Sequence, residues 1–110
     1  MSLVDLVTVV LIARNHEEFV SCALSSIDQE LGRSVNVIAV DSGSTDTTVD
    51  KLKMWLKVRP GSHLVTGHNF TTVEALLAAS PLVRTAYIVL LSADDYLLPG
   101  YRTALVSHLP

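Results

Sequence analysis

Two stretches of the chain are apolar almost without interruption: Val7-Thr8-Val9-Val10-Leu11-Ile12-Ala13 and Val35-Asn36-Val37-Ile38-Ala39-Val40. Both have strand length and are rich in β-branched side chains, the pattern of strands covered on both faces in a parallel sheet. Between them, Phe19, Ala23, Ile27 and Leu31 recur every fourth residue with Val20 and Leu24 alongside, the apolar stripe of a helix lying on that sheet. Glu17 and Glu18 are expected in its first turn, where the helix dipole favours negative charge, and Gly32 ends it. Residues 7 to 40 therefore read as one β-α-β unit.

The pattern then repeats. Ser44-Thr45-Asp46-Thr47 offers capping side chains for a helix reaching about Lys57, with Val49, Leu52 and Leu56 facing inward. Pro60-Gly61 marks a turn and His63-Leu64-Val65 a short strand. Thr71-Thr72-Val73-Glu74 has the form of a capping box ahead of Ala75-Leu76-Leu77-Ala78-Ala79, a helix that Ser80-Pro81 disturbs. A buried strand, Tyr87 to Leu91, leads into an acidic turn, and Pro99-Gly100 opens a last short helix. Alternation of strand and helix predicts an α/β fold with a mainly parallel sheet and flanking helices. Neither a repeat nor a linker interrupts it, so residues 1–110 read as a single domain.

Composition narrows the class. At 110 residues the chain suits one core, and 49% apolar against 17% charged residues excludes a disordered segment. A net charge of -3 leaves no basic face for a phosphate backbone, which excludes nucleic acid as a partner. Cys22 is the only cysteine, read as a buried structural thiol in a reducing compartment. The apolar runs fall far short of the roughly 20 residues that span a bilayer, and the N-terminus lacks the form of a signal peptide. A cytoplasmic location is the expectation.

In open α/β sheets, ligands bind beyond the carboxyl ends of the strands. Four polar clusters stand there: Ala13-Arg14-Asn15-His16, Asp41-Ser42-Gly43-Ser44-Thr45-Asp46, Gly67-His68-Asn69 and Ser92-Ala93-Asp94-Asp95. Asp41 directly follows an apolar strand, so its carboxylate is desolvated and needs donors. A ligand N–H or hydroxyl could supply them; alternatively Asp41 ties the following turn, the role that Asp46 fits better. Asp94 and Asp95 are adjacent carboxylates that repel one another unless a cation sits beside them, and hard oxygen ligands suit magnesium or manganese. The other reading of the pair is a solvated turn. His16, His63 and His68 lack metal-ligand spacing. Trp55 and Met54 are expected to pack rather than stack on a ligand, and Arg14 either meets a ligand phosphate or base or pairs with Glu17 or Glu18.

Together, Val7 to Asn15, Val40-Asp41-Ser42-Gly43-Ser44-Thr45-Asp46-Thr47-Thr48 and Leu91-Ser92-Ala93-Asp94-Asp95-Tyr96-Leu97-Leu98-Pro99 resemble family 2 of the GT-A glycosyltransferases. The similarity covers nearly the whole chain in the right order, and the Asp-x-Gly-Ser-Thr-Asp stretch is its most specific piece. It implies a Rossmann-like nucleotide-diphospho-sugar transferase fold and a nucleotide-sugar donor, commonly a UDP-sugar. It also implies a divalent metal, Mg2+ or Mn2+, and transfer that inverts the anomeric centre. By this resemblance Asp41 meets the base, and Ala13, Arg14 and Asn15 form the segment that cradles uracil and ribose. Asn69 matches the Asn of an Asn-x-Gly segment, Asp94 the last Asp of the Asp-x-Asp motif, and Asp95 follows it as in many members.

The chain departs from the family at several points. Ser92 stands at the first Asp of Asp-x-Asp and removes one charge from the metal and diphosphate site. Ile12-Ala13-Arg14 replaces the usual Pro-Thr-Tyr, Leu76-Leu77 an Arg-Asn pair, and Thr71 a Gly. The family's domain is also longer, and its second half carries the acceptor site and the general base. No residue after Asp95 suits that role; Tyr101, Arg102 and His108 sit on a short terminal helix. The resemblance thus implies the donor-nucleotide-binding half of a transferase, with the acceptor half absent and the acceptor unknown. A non-catalytic nucleotide-binding or self-assembling module is the alternative, because half a sheet leaves apolar surface that drives self-association. A receiver-like phospho-acceptor domain would want a lysine late in the sheet, and none follows Lys57.

Overall fold

The computed structural model describes residues 2–110. Strands β1 (Val7–Ala13), β2 (Asn36–Ser42), β3 (His63–Gly67) and β4 (Tyr87–Ser92) form one sheet in the order β3-β2-β1-β4. Every neighbouring pair is parallel. Helices α2 (Val20–Leu31), α3 (Thr48–Leu56) and α4 (Thr72–Ala79) make the crossovers, with a short α1 (Leu3–Leu6) before them and α5 (Tyr101–His108) after. The α/β class and the flanking helices follow the periods read in the sequence.

Side chains of β1 alternate between two apolar layers. Val7, Val9 and Leu11 join Val37, Ala39, Val89 and Leu91 under α2 and α3, with Tyr101 and Leu105 of α5 at the margin. Val10 joins Ile38, Val40 and the alanines Ala75 and Ala79 of α4 on the other face. Strand β1 is covered on both sides, which is why its sequence is apolar throughout.

Strand β4 is different. It lies at the sheet edge, and only Val89 and Leu91 are buried, while Ile88 and Leu90 are 44% and 47% exposed. Helix α4 packs on β2 and β1 and leaves that side of β4 bare. The expectation of a buried strand ahead of Asp94 is therefore corrected to a half-covered edge strand.

Other local expectations also change. Helix α2 begins at Val20, with Phe19 half exposed at its cap, so the buried stripe is Val20, Ala23, Leu24, Ile27 and Leu31. Glu17 and Glu18 lie before the helix, whose first turn carries no acid. Cys22 falls on the outward face and is exposed, not a buried thiol. Met54 is exposed as well, whereas Trp55 packs at the core margin, donates from Nε1 to Asp28 (3.1 Å) and lies under the Arg59 guanidinium. Strand β2 runs on through Asp41 and Ser42, which pair with Thr66 and Gly67 of β3. Thr71 and Glu74 form the expected capping box, and Ser80–Leu82 tightens into a 3-10 turn at Pro81.

Candidate functional site

Because all four strands run the same way, their carboxyl ends share one rim. From β1 the chain adds β2 and β3 on one side, then returns to place β4 on the other, so the strand order reverses beside β1. Asp41 is the register partner of Ala13, and Ser92 that of Ile12. At about 4.8 Å between neighbouring strands, the ends carrying Asp41 and Ser92 stand roughly 10 Å apart across β1.

The loops after β1 and β2 are locked together. Asn15, in the left-handed region at φ 52°, donates its N–H to Ser44 Oγ (2.9 Å) and accepts at Oδ1 from the N–H of Thr45 (2.8 Å). Ser44 in turn donates to Asp41 twice, from Oγ to Oδ1 (2.5 Å) and from N–H to Oδ2 (2.9 Å). One turn further, His16 N–H donates to Thr48 Oγ1, and Glu17 accepts from both the N–H and the hydroxyl of Thr47. Asp46 accepts from the N–H of Thr48 and of Glu17, and Lys51 Nζ donates to the Glu17 carbonyl.

These bonds set the carboxylates. Hydrogen bonds from the Thr47 side chain and backbone, aided by Lys51, hold Glu17 below its ordinary value against desolvation and the nearby Asp46. Desolvation pushes Asp46 up, but donors from Thr48, Glu17 and its own backbone outweigh it. Asp41, 2% exposed, accepts at both carboxylate oxygens from Ser44. Its turn-tying contacts are present, and Asp41 also lines a 270 Å³ pocket with Gly43, Ser44, Thr66 and His68. Ala13 is fully buried beside it. Arg14 is exposed and makes no ion pair with Glu17 or Glu18.

At the β4 end, Ser92 Oγ donates to Asp94 Oδ1 (2.6 Å). That bond, with its own backbone N–H, draws Asp94 below its ordinary value despite desolvation. His16 also belongs to the rim, with Nδ1 accepting from Arg14 N–H and its own N–H donating to Thr48 Oγ1. Asp95 lines a neighbouring pocket of 320 Å³ with Ile12, Thr72, Leu90 and Ser92. On the far side, after β3, Asn69 is exposed and also left-handed, at φ 53°. Phe70 beside it is pinned by its N–H to Ser42 Oγ (2.7 Å). Gly67 and Gly43 keep this corner tight: a Cβ on Gly67 would meet the Phe70 ring, and one on Gly43 would stand 3.0 Å from His68 Nδ1.

Among the described residues no three His, Cys, Asp or Glu side chains converge on a point. Asp94 and Asp95 nevertheless offer hard oxygens, and a magnesium-type ion needs only one or two carboxylates when substrate phosphates complete its shell. The donor set fits an ion shared with a diphosphate. Sequence reasoning singled out the rim but missed Ser44, Thr47, Thr48 and His16 as connected residues. Their signal was only the density of Ser and Thr after β2, because the partners in the other loop lie 29 to 32 positions away.

Residues 8–109 match the profile described as Glycosyl transferase family 2. An uncharacterized glycosyltransferase of Haemophilus influenzae is 25% identical over 105 residues, which cover 94% of this chain and 32% of that protein. The S. aureus TarS structure superposes with a TM-score of 0.71 at 16% identity, over 93% of this chain and 19% of TarS. The 1–349 portion of TarS in complex with UDP-GlcNAc gives 0.72 at 15% identity, over 93% of this chain and 30% of that one. Its complex with UDP gives 0.69 at 17%, over the same shares. Likeness at this identity establishes a shared fold. The chain spans about a third or less of the length of these relatives.

Proposed function

The chain belongs to glycosyl transferase family 2, and from that premise we propose that it is the donor-binding part of an enzyme transferring a sugar from a UDP-sugar to an acceptor. The observation that carries the reading is the meeting of Asp41, on β2, and Asp94, just beyond β4, at one rim on either side of β1. The UDP and UDP-GlcNAc complexes of TarS, a protein of the same fold, support it.

In this reading Asp41 accepts the ring N–H of uracil within the pocket it shares with Gly43, Thr66 and His68. The Ala13-Arg14-Asn15 segment borders base and ribose, with exposed Arg14 free to reach a phosphate, and Asn69 closes the β3 side. Ser92, Asp94 and Asp95 face the diphosphate, where the two acids would hold magnesium or manganese. The ion's chemistry there is to neutralise charge on the departing diphosphate. Inverting transfer also needs a base within hydrogen-bond reach of the acceptor hydroxyl. We assign that base and the acceptor site to an acceptor half outside these 110 residues, so the isolated chain binds donor without efficient transfer, in the cytoplasm.

Self-association is part of the proposal, and the bare side of β4 favours it. Calorimetric titration with several nucleoside diphosphates, with and without manganese, tests the donor site. Manganese should tighten UDP binding to the native chain and leave Asp94→Ala unaffected. Equal indifference to every nucleotide, or a manganese effect surviving in Asp94→Ala, would contradict it and favour a non-catalytic assembly module.

A further inference from the structure

We infer that Ser44 is a positioning residue for base recognition, fixing the Asp41 carboxylate in the orientation that accepts a pyrimidine N–H, and that the Asn15 backbone sets Ser44 in turn. The inference rests on the donor-site reading above and adds a determinant of which base that site prefers.

A hydroxyl has a single proton to give. Because Ser44 Oγ accepts from Asn15 N–H (2.9 Å), the direction left for that proton is Asp41 Oδ1, at 2.5 Å. The Ser44 N–H holds Oδ2 at 2.9 Å, so both carboxylate oxygens are gripped by one residue and rotation of the group is blocked. Asn15 is itself held in its left-handed conformation by the bond from Thr45 N–H to its Oδ1 (2.8 Å). A carboxylate has about four acceptor sites, and Ser44 occupies two. The remaining ones belong to a residue that is 2% exposed and lines a pocket with Gly43, Ser44, Thr66 and His68, the space in which the proposed base would meet them. With no proton of its own to donate, that fixed acceptor suits uracil, which has a ring N–H between two carbonyls. It opposes cytosine, whose equivalent ring nitrogen is an acceptor. Freeing the carboxylate should therefore cost UDP affinity while leaving CDP affinity undiminished or raising it.

The test is calorimetric titration of the chain with UDP and with CDP, comparing native protein, Ser44→Ala, Ser44→Thr and Asp41→Ala, with thermal melting to verify folding. Loss of one charge-assisted bond predicts UDP binding about tenfold weaker in Ser44→Ala. CDP binding should not weaken, so the UDP:CDP ratio falls by at least the same factor, and Ser44→Thr should restore it. Ser44→Cys, of similar shape but a weak donor, replaces the alanine variant if that one does not fold, with the same outcome expected. An unchanged or tighter UDP constant in Ser44→Ala, with binding still lost in Asp41→Ala, overturns the role of Ser44 and leaves the donor site standing. Native protein that binds neither nucleotide, or both equally, overturns the inference and the donor-site reading together.

Discussion

Glu17 shows how one side chain can serve a position other than the one its sequence neighbourhood suggests. An acid just before a helix is expected to complement that helix's dipole, yet Glu17 crosses to Thr47 and joins the β1 loop to the start of α3. Its folded-state pKa is depressed from the ordinary 4.5, mainly by those two bonds, and that of Asp46 is depressed from 3.8. The unfolded chain therefore binds protons more readily. This part of the stability is complete above the ordinary values and is lost as pH falls through the folded-state ones. Melting temperature should decline as pH drops from about 5 toward 3, and Glu17→Gln should flatten that decline while lowering the plateau at neutral pH. A variant with the native slope would show that the contact does not hold the loops together. At the same scale, Asp41 and Asp94 could be singled out because each stands where an apolar run ends. Ser44 could not, since its meaning comes from Asn15, 29 positions away.

Among the elements, the strands and α4 were the most legible, because apolar period and a capping box act locally. What failed was anything that depends on which neighbour covers a face. Val7 to Ala13 and Tyr87 to Leu91 look alike in sequence, but one has a strand on each side and helices above and below. The other is an edge, bare where α4 does not reach. Phe19 and Cys22 were misplaced for a related reason: starting α2 at Val20, beyond Glu17 and Glu18, and giving it a narrow buried stripe puts both outside the core. Strand β4 has no charge or proline along it, and an unguarded apolar edge is a template for another chain. Light scattering should therefore show mass rising with concentration for the native chain, and Leu90→Lys should hold it near the monomer value. A clean monomer at high concentration in both would remove self-association from the account.

Across the whole molecule, parallel topology brings four separate loops to one rim, and the reversal of strand order beside β1 places Asp41 and Asp94 on opposite sides of that strand's end. The chain belongs to glycosyl transferase family 2 and shares its fold with TarS. A second location is a 420 Å³ cavity between α2 and α3, open and mostly apolar, with Leu24, Met54, Trp55 and Val58 beside Asp28 and Lys51 in its lining. Backbone amide resonances during UDP titration distinguish the two locations directly. The account predicts shifts confined to the rim, at Asn15, at Asp41 to Thr45, at Gly67 to Asn69 and at Ser92 to Asp95. Shifts centred on the groove between α2 and α3, or none at saturating UDP, would contradict it.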